Sequence, residues 1–196
     1  MKVVFKIVIA LFLLTSFKSW DASKVGVKKE PLSPKLLTLD RKIEDVANTT
    51  VVTNPDQMRF FTKEVEENLI DPYGDKYGYI IMKQNIIKFK AGMMPWIIPN
   101  AILFYTPILF GLPFTKPKYI IEIEFRIMDS QNKLIGKYSA TGKGSCVVAM
   151  YYGYSLMNAG RKIYLDALND AFNQIRPLIQ ADALRLNEKL KEAGKL

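Results

Sequence analysis

Glu122 and Glu124 stand two residues apart in the run Y-I-I-E-I-E-F-R-I-M. Two carboxylates can hydrolyse a glycoside when they face each other across a cleft about 5 to 10 Å wide, one of them with a raised pKa. Two residues apart on an extended chain, however, they share one face. Arg126 continues that face, so the pattern describes a solvated strand edge. Gly136, Gly142 and Lys143 suggest a phosphate-binding loop, but five residues separate the glycines and Gly144 occupies the magnesium-binding Ser/Thr position. That fingerprint also requires a strand before it and a helix after it, whereas the flanking residues here favour strands and a tight turn. Asp71, Asp75 and Asp129 fall in turn-forming stretches, where Asp bonds its own backbone, and they lack calcium-loop spacing. Tyr151, Tyr152 and Tyr154 fit a binding platform or a corner between a strand and a helix.

The chain contains no histidine and one cysteine, Cys146. Nucleophile arrangements that use a histidine base therefore cannot be built. An ordinary zinc site lacks ligands, and an internal disulfide lacks a second thiol. Neither a catalytic residue, a metal nor a cofactor is expected. The balance of 28 Lys and Arg against 19 Asp and Glu gives a net charge of +9. The basic residues are scattered, without the clustered stripe of a nucleic-acid footprint, so nucleic acid is not an expected partner.

The elements that would position these residues follow from apolar spacing. Residues 46–54 include T-T-V-V-T, a β-branched run suited to a strand. Asn54 and Pro55 open a helix in which Met58, Phe61, Val65 and Leu69 form the apolar stripe and Lys63, Glu64, Glu66 and Glu67 lie off it. Residues 77–89 favour a strand. Residues 119–128 alternate strictly, and 134–141 return after the turn D-S-Q-N-K to make a hairpin. Residues 146–151 suit a short strand. From Leu156 the residues Ile163, Ala167, Leu168, Ala171, Phe172, Ile175 and Ile179 form one helical stripe, with Asp166, Asn169, Asp170, Asn173 and Arg176 facing away. Pro177 should kink or end that helix. The order implies an α+β fold, a mainly antiparallel sheet with two helices packed on one face.

The most unusual segment is residues 91–115, which carry no charge in a chain that is 24% charged. Lys88 and Lys90 precede it, and Lys116 and Lys118 follow it. Its length would span a bilayer as a helix, but Pro95, Pro99, Pro107 and Pro113 interrupt it. Three readings follow: a membrane-contacting loop with the flanking lysines meeting anionic lipid, a buried connection or oligomer contact, and a transmembrane helix. The contact residues would be Trp96, Ile97, Ile98, Ile102, Leu103, Phe104, Tyr105, Ile108, Leu109 and Phe110.

Residues 1–22 combine Lys2 and Lys6 with an apolar run from Ile7 to Leu14, the form of a signal peptide or, uncut, an N-terminal anchor. Residues 23–45 read as an extended linker ending in an apolar anchor at Leu36, Leu37 and Leu39. A single domain is expected over 46–180, with the apolar insertion 91–115 within it and a charged helical tail over 181–196, where Leu184 and Leu190 are weak anchors.

Four stretches, F-T-K-E-V-E-E-N-L-I-D-P-Y-G-D-K-Y-G-Y-I, I-L-F-G-L-P-F, L-I-G-K-Y-S-A-T-G-K-G and V-A-M-Y-Y-G-Y, resemble a group of uncharacterised exported proteins of Gram-negative envelopes. The likeness runs over roughly residues 60 to 180. It implies a location in the periplasm or at the outer membrane and supplies no catalytic residues. The expectation is a non-enzymatic envelope protein that meets a membrane surface or an envelope partner through its apolar loop. The alternative is a soluble periplasmic module with an apolar ligand in a pocket under the sheet.

Overall fold

A computed structural model describes residues 26–44, 55–90, 92, 98, 113, 115–149 and 156–196. The elements run β1 (Asp40–Glu44), α1 (Pro55–Glu64) with a π-helical continuation (Val65–Leu69), β2 (Gly78–Lys90), β3 (Lys118–Asp129), β4 (Leu134–Ser145) and α2 (Leu156–Ala193). The fold is α+β. The sheet order is β1-β2-β3-β4. β1 is parallel to β2, with Asp40 opposite Tyr79 and Glu44 opposite Lys83. β2 and β3 are antiparallel, since Gly78 lies against Met128 while Phe89 lies against Tyr119. β3 and β4 form the expected hairpin, closed by the Asp129 N–H donating to the Lys133 carbonyl at 3.0 Å.

The chain divides into two compact units. In the unit formed by Gly26–Lys88, Ile120–Lys143 and Leu165–Leu196, the alternating residues Ile121, Ile123, Phe125 and Ile127 of β3 are buried. Phe125 lies 5.6 Å from Phe61 of α1 and 5.5 Å from Phe172 of α2, ring centre to ring centre. One face of the strand therefore carries both helices. Gly142 permits a close approach of α2, since a Cβ there would stand 1.9 Å from the Ala167 carbonyl oxygen.

Several expectations change at this level. Residues 26–37 form a fixed strap across the helices, and β1 follows it within the segment expected to be linker. Asn68 donates to the Lys28 carbonyl at 2.9 Å and accepts from the Glu30 N–H at 2.8 Å. Gln180 bonds both the N–H and the carbonyl of Ser33, at 2.8 and 2.6 Å. Asn187 accepts from the Leu37 N–H and donates to the Lys35 carbonyl, each at 2.9 Å. Three side-chain amides thus satisfy part of this extended backbone, and the rest of its pairing includes Leu32 with Asn68 and a parallel bridge of Leu36 to Ile70. Leu36 and Leu39 are buried beneath it.

The α2 helix runs through Pro177 to Ala193 without ending there. Pro177 is exposed, and tertiary packing on both sides holds the helix across the missing N–H. In its last third Leu186 and Leu190 are buried and Leu184 is 69% exposed, so Leu190 anchors the helix and Leu184 does not. On α1 the exposed Met58 is off the buried face, which Phe60, Phe61, Glu64, Val65, Asn68 and Leu69 make up. The strand expected over 46–54 and the Tyr151–Tyr154 cluster lie outside the described residues.

Candidate functional site

The described residues show how the uncharged segment is held at its base. The Gly92 carbonyl accepts two hydrogen bonds, from the Lys116 N–H at 2.8 Å and from the Thr115 hydroxyl at 2.9 Å. Thr115 in turn accepts from the Val148 N–H at 2.9 Å, and the two residues form an antiparallel bridge. Gly92 sits at φ 60°, and a Cβ on it would stand 1.9 Å from the Lys116 carbonyl oxygen. Both the left-handed backbone and the close approach demand glycine here. Gly92 and the pair Thr115–Lys116, which flank the uncharged segment, therefore meet in one closed neck. No helix among the described residues is long and apolar enough to cross a membrane.

The neck rests on the core of the smaller unit, where Cys146, Val148, Ala159 and Ile163 are buried and Tyr119 packs against them. Tyr119 also stacks between Phe89, at 5.3 Å, and Tyr164, at 6.1 Å. Phe89 is 56% exposed. The Cys146 thiol is enclosed and faces the Ala159 carbonyl at 4.0 Å. Lys90, Lys116 and Lys118 are exposed around the neck. Among the described residues, none of the three is paired with a carboxylate. Of the ten residues expected to make the contact, Ile98 is described and is 73% exposed. Trp96, Ile97, Ile102, Leu103, Phe104, Tyr105, Ile108, Leu109 and Phe110 lie outside the described residues.

The other groups with chemical potential are occupied structurally. Glu124 is bonded by Arg126 at 2.6 Å and Lys137 at 3.1 Å. Burial would raise its pKa, but hydrogen bonds from Lys137 and Arg126 win and hold it below the ordinary carboxylate range. It is thus the opposite of a general acid. Glu122 faces Asn85 at 3.5 Å. The Lys143 N–H donates to the Asp170 carboxylate at 2.8 Å, so an anion of the protein itself holds the place that a phosphate loop would keep for its ligand.

One buried ion pair did not appear in the sequence pattern. Glu64 has no exposed surface and Arg176 is 4% exposed, although both read as solvent-facing. The guanidinium binds Glu64 through two bonds, Nε to Oε1 at 2.5 Å and Nη2 to Oε2 at 3.0 Å, and reaches Glu30 at 3.0 Å. Asn68 adds a bond to Glu64 at 2.8 Å. Burial pushes Glu64 above the usual carboxylate range, against the lowering pull of Arg176 and Asn68. Every polar atom of Glu64 finds a partner, and the pair ties α1 to α2 and to the strap. Beneath the sheet, the Phe61, Phe125 and Phe172 rings pack against one another in the core.

No family model and no curated protein matches the chain. Three of the solved structures similar to it come from Gram-negative bacteria. A candidate neuraminyllactose-binding hemagglutinin homolog from Helicobacter pylori is 12% identical, with 86% of this chain and 96% of that one covered and a TM-score of 0.37. A minor lipoprotein from Acinetobacter baumannii is 15% identical over 75% of this chain and 94% of that one, with a TM-score of 0.32. A candidate lipoprotein from Caulobacter crescentus CB15 is 14% identical over 59% of this chain and 68% of that one, with a TM-score of 0.27. Likeness of this degree carries neither activity nor ligand across to this chain.

Proposed function

We propose that this chain is an exported, non-enzymatic envelope protein that dips the apolar loop 93–114 into a membrane surface. The observation that carries the reading is the closed neck. An uncharged insertion of bilayer-spanning length begins and ends at the Gly92–Lys116 hydrogen bond, the form of an inserted loop rather than a span. The leader-like residues 1–22 support export. The absence of histidine removes the commonest acid–base and nucleophilic chemistry, and Lys137 and Arg126 hold Glu124 below the ordinary carboxylate range.

Flotation of the full chain with lipid vesicles tests it. The protein should rise with the vesicles, and a Trp96→Asp/Phe104→Asp variant should stay behind with an unchanged melting temperature. If the wild type stays in the soluble fraction and the variant fails to fold, the loop is a core element and the reading is wrong.

A further inference from the structure

The cations at the neck point to the kind of surface this loop meets. Phe89 packs against Tyr119, and Gly92 bonds Lys116. Lys90 follows Phe89 and Lys118 precedes Tyr119, so the two lysines lie on the neighbouring strands β2 and β3 beside that contact, both exposed. Among the described residues no carboxylate neutralises either of them. The contrast lies elsewhere in the sheet, where Lys83 and Arg126 share Glu44 and Lys137 meets Glu124. Lys116 adds a third exposed cation immediately beside the neck.

We infer that Lys90, Lys116 and Lys118 form an anion-binding collar for the headgroups of anionic phospholipids at the foot of the inserted loop. The inference rests on the membrane reading above and adds a lipid class to it. A loop that dips its apolar residues past the interface holds its neck at headgroup level. The phosphates there supply the countercharge that the sheet lacks, and each cation near an anionic surface strengthens attachment appreciably. The collar therefore selects anionic over zwitterionic membranes, and raised salt weakens that selection.

The full chain is titrated with vesicles of phosphatidylcholine alone and of an equal mixture of phosphatidylcholine and phosphatidylglycerol. The wild type should bind the mixture more tightly. Each substitution to Gln at the collar should lower that binding about five-fold, and K90Q/K116Q/K118Q about a hundred-fold. Residual binding to neutral vesicles should be unchanged. A control variant, K133Q/K143Q/K191Q, removes the same net charge from exposed positions elsewhere and should keep most of the preference. Equal binding of the wild type to both vesicles overturns the collar while leaving loop insertion standing. Equal losses in the two triple variants also overturn it, since net charge alone would then suffice. Displacement from the mixed vesicles by millimolar inorganic phosphate, but not by equal ionic strength of chloride, would reassign the collar to a free anion. Absence of binding to either vesicle refutes both this inference and the membrane reading.

Discussion

Arg176→Met cuts the tie between α1, α2 and the strap at its centre. The side chain is nearly sealed from solvent, and its partner Glu64 is completely sealed. Removing the guanidinium leaves the Glu64 carboxylate with Asn68 as its only other side-chain partner among the described residues. Breaking a buried pair from one side costs about 3 to 5 kcal/mol, because the remaining charge is left uncompensated. In a chain of this size that corresponds to a fall of roughly 10 °C in Tm. The sign of the pH dependence follows from Glu64. Its folded pKa already lies above the unfolded value, and losing Arg176 removes the largest lowering influence and raises it further. The loss relative to wild type is therefore full above the new folded pKa. It shrinks as pH falls toward 4.5, the ordinary value, because the folded form then takes up a proton first. Urea unfolding of both proteins at about pH 8 and about pH 5, followed by circular dichroism, measures this. Glu64→Leu/Arg176→Met should recover most of the stability, as apolar replacement of both partners often does. A deficit under about 1 kcal/mol at the higher pH, or one that does not vary with pH, would refute the assignment of a buried ionised pair.

Three further substitutions probe other parts of the structure. Leu36→Ala should destabilise by about 2 to 5 kcal/mol, whereas Leu184→Ala should change stability by less than about 0.5 kcal/mol; equal effects would mean that the strap is not part of the core. Gly92→Ala forces a side chain into a left-handed position against a carbonyl oxygen and should cost about 1 to 3 kcal/mol in a thermal melt, with an unchanged melt counting against the closed neck. Pro177→Ala should stabilise by about 1 to 3 kcal/mol, because Asn173 regains a backbone donor four residues on; a loss of stability would show that the proline ring itself is packed.

Where one periodicity governed a segment, the elements were legible in the sequence. The alternation in β3 and the stripe from Ile163 to Ile179 correspond to the buried faces found. The charged pair escaped because apolar spacing ranks Glu and Arg as solvent-facing by type. Position carried a different message, since Glu64 falls three and four residues after Phe61 and Phe60, and Arg176 four after Phe172. Each lies on the stripe by geometry, and a single Glu and a single Arg at such places signal a pair. The strap was unreadable for another reason. Its partners are amides on helices far along the chain, and no local pattern records them. For the candidate site, the sequence disclosed the absence of charge between the lysines. The neck, with its glycine and the hydrogen bonds that close it, required the three-dimensional structure.

The strap also bears on the order in which the chain can fold. Its hydrogen bonds to Gln180 and Asn187 join residues 147 to 152 positions apart, and its ion pair with Arg176 spans 146. None of these can form until the C-terminal helix has been made. Contacts of such separation are closed late and slowly. Under the export proposed above this is an advantage. Residues 26–37 stay undocked while synthesis proceeds, and so would remain available for threading through a translocation pore.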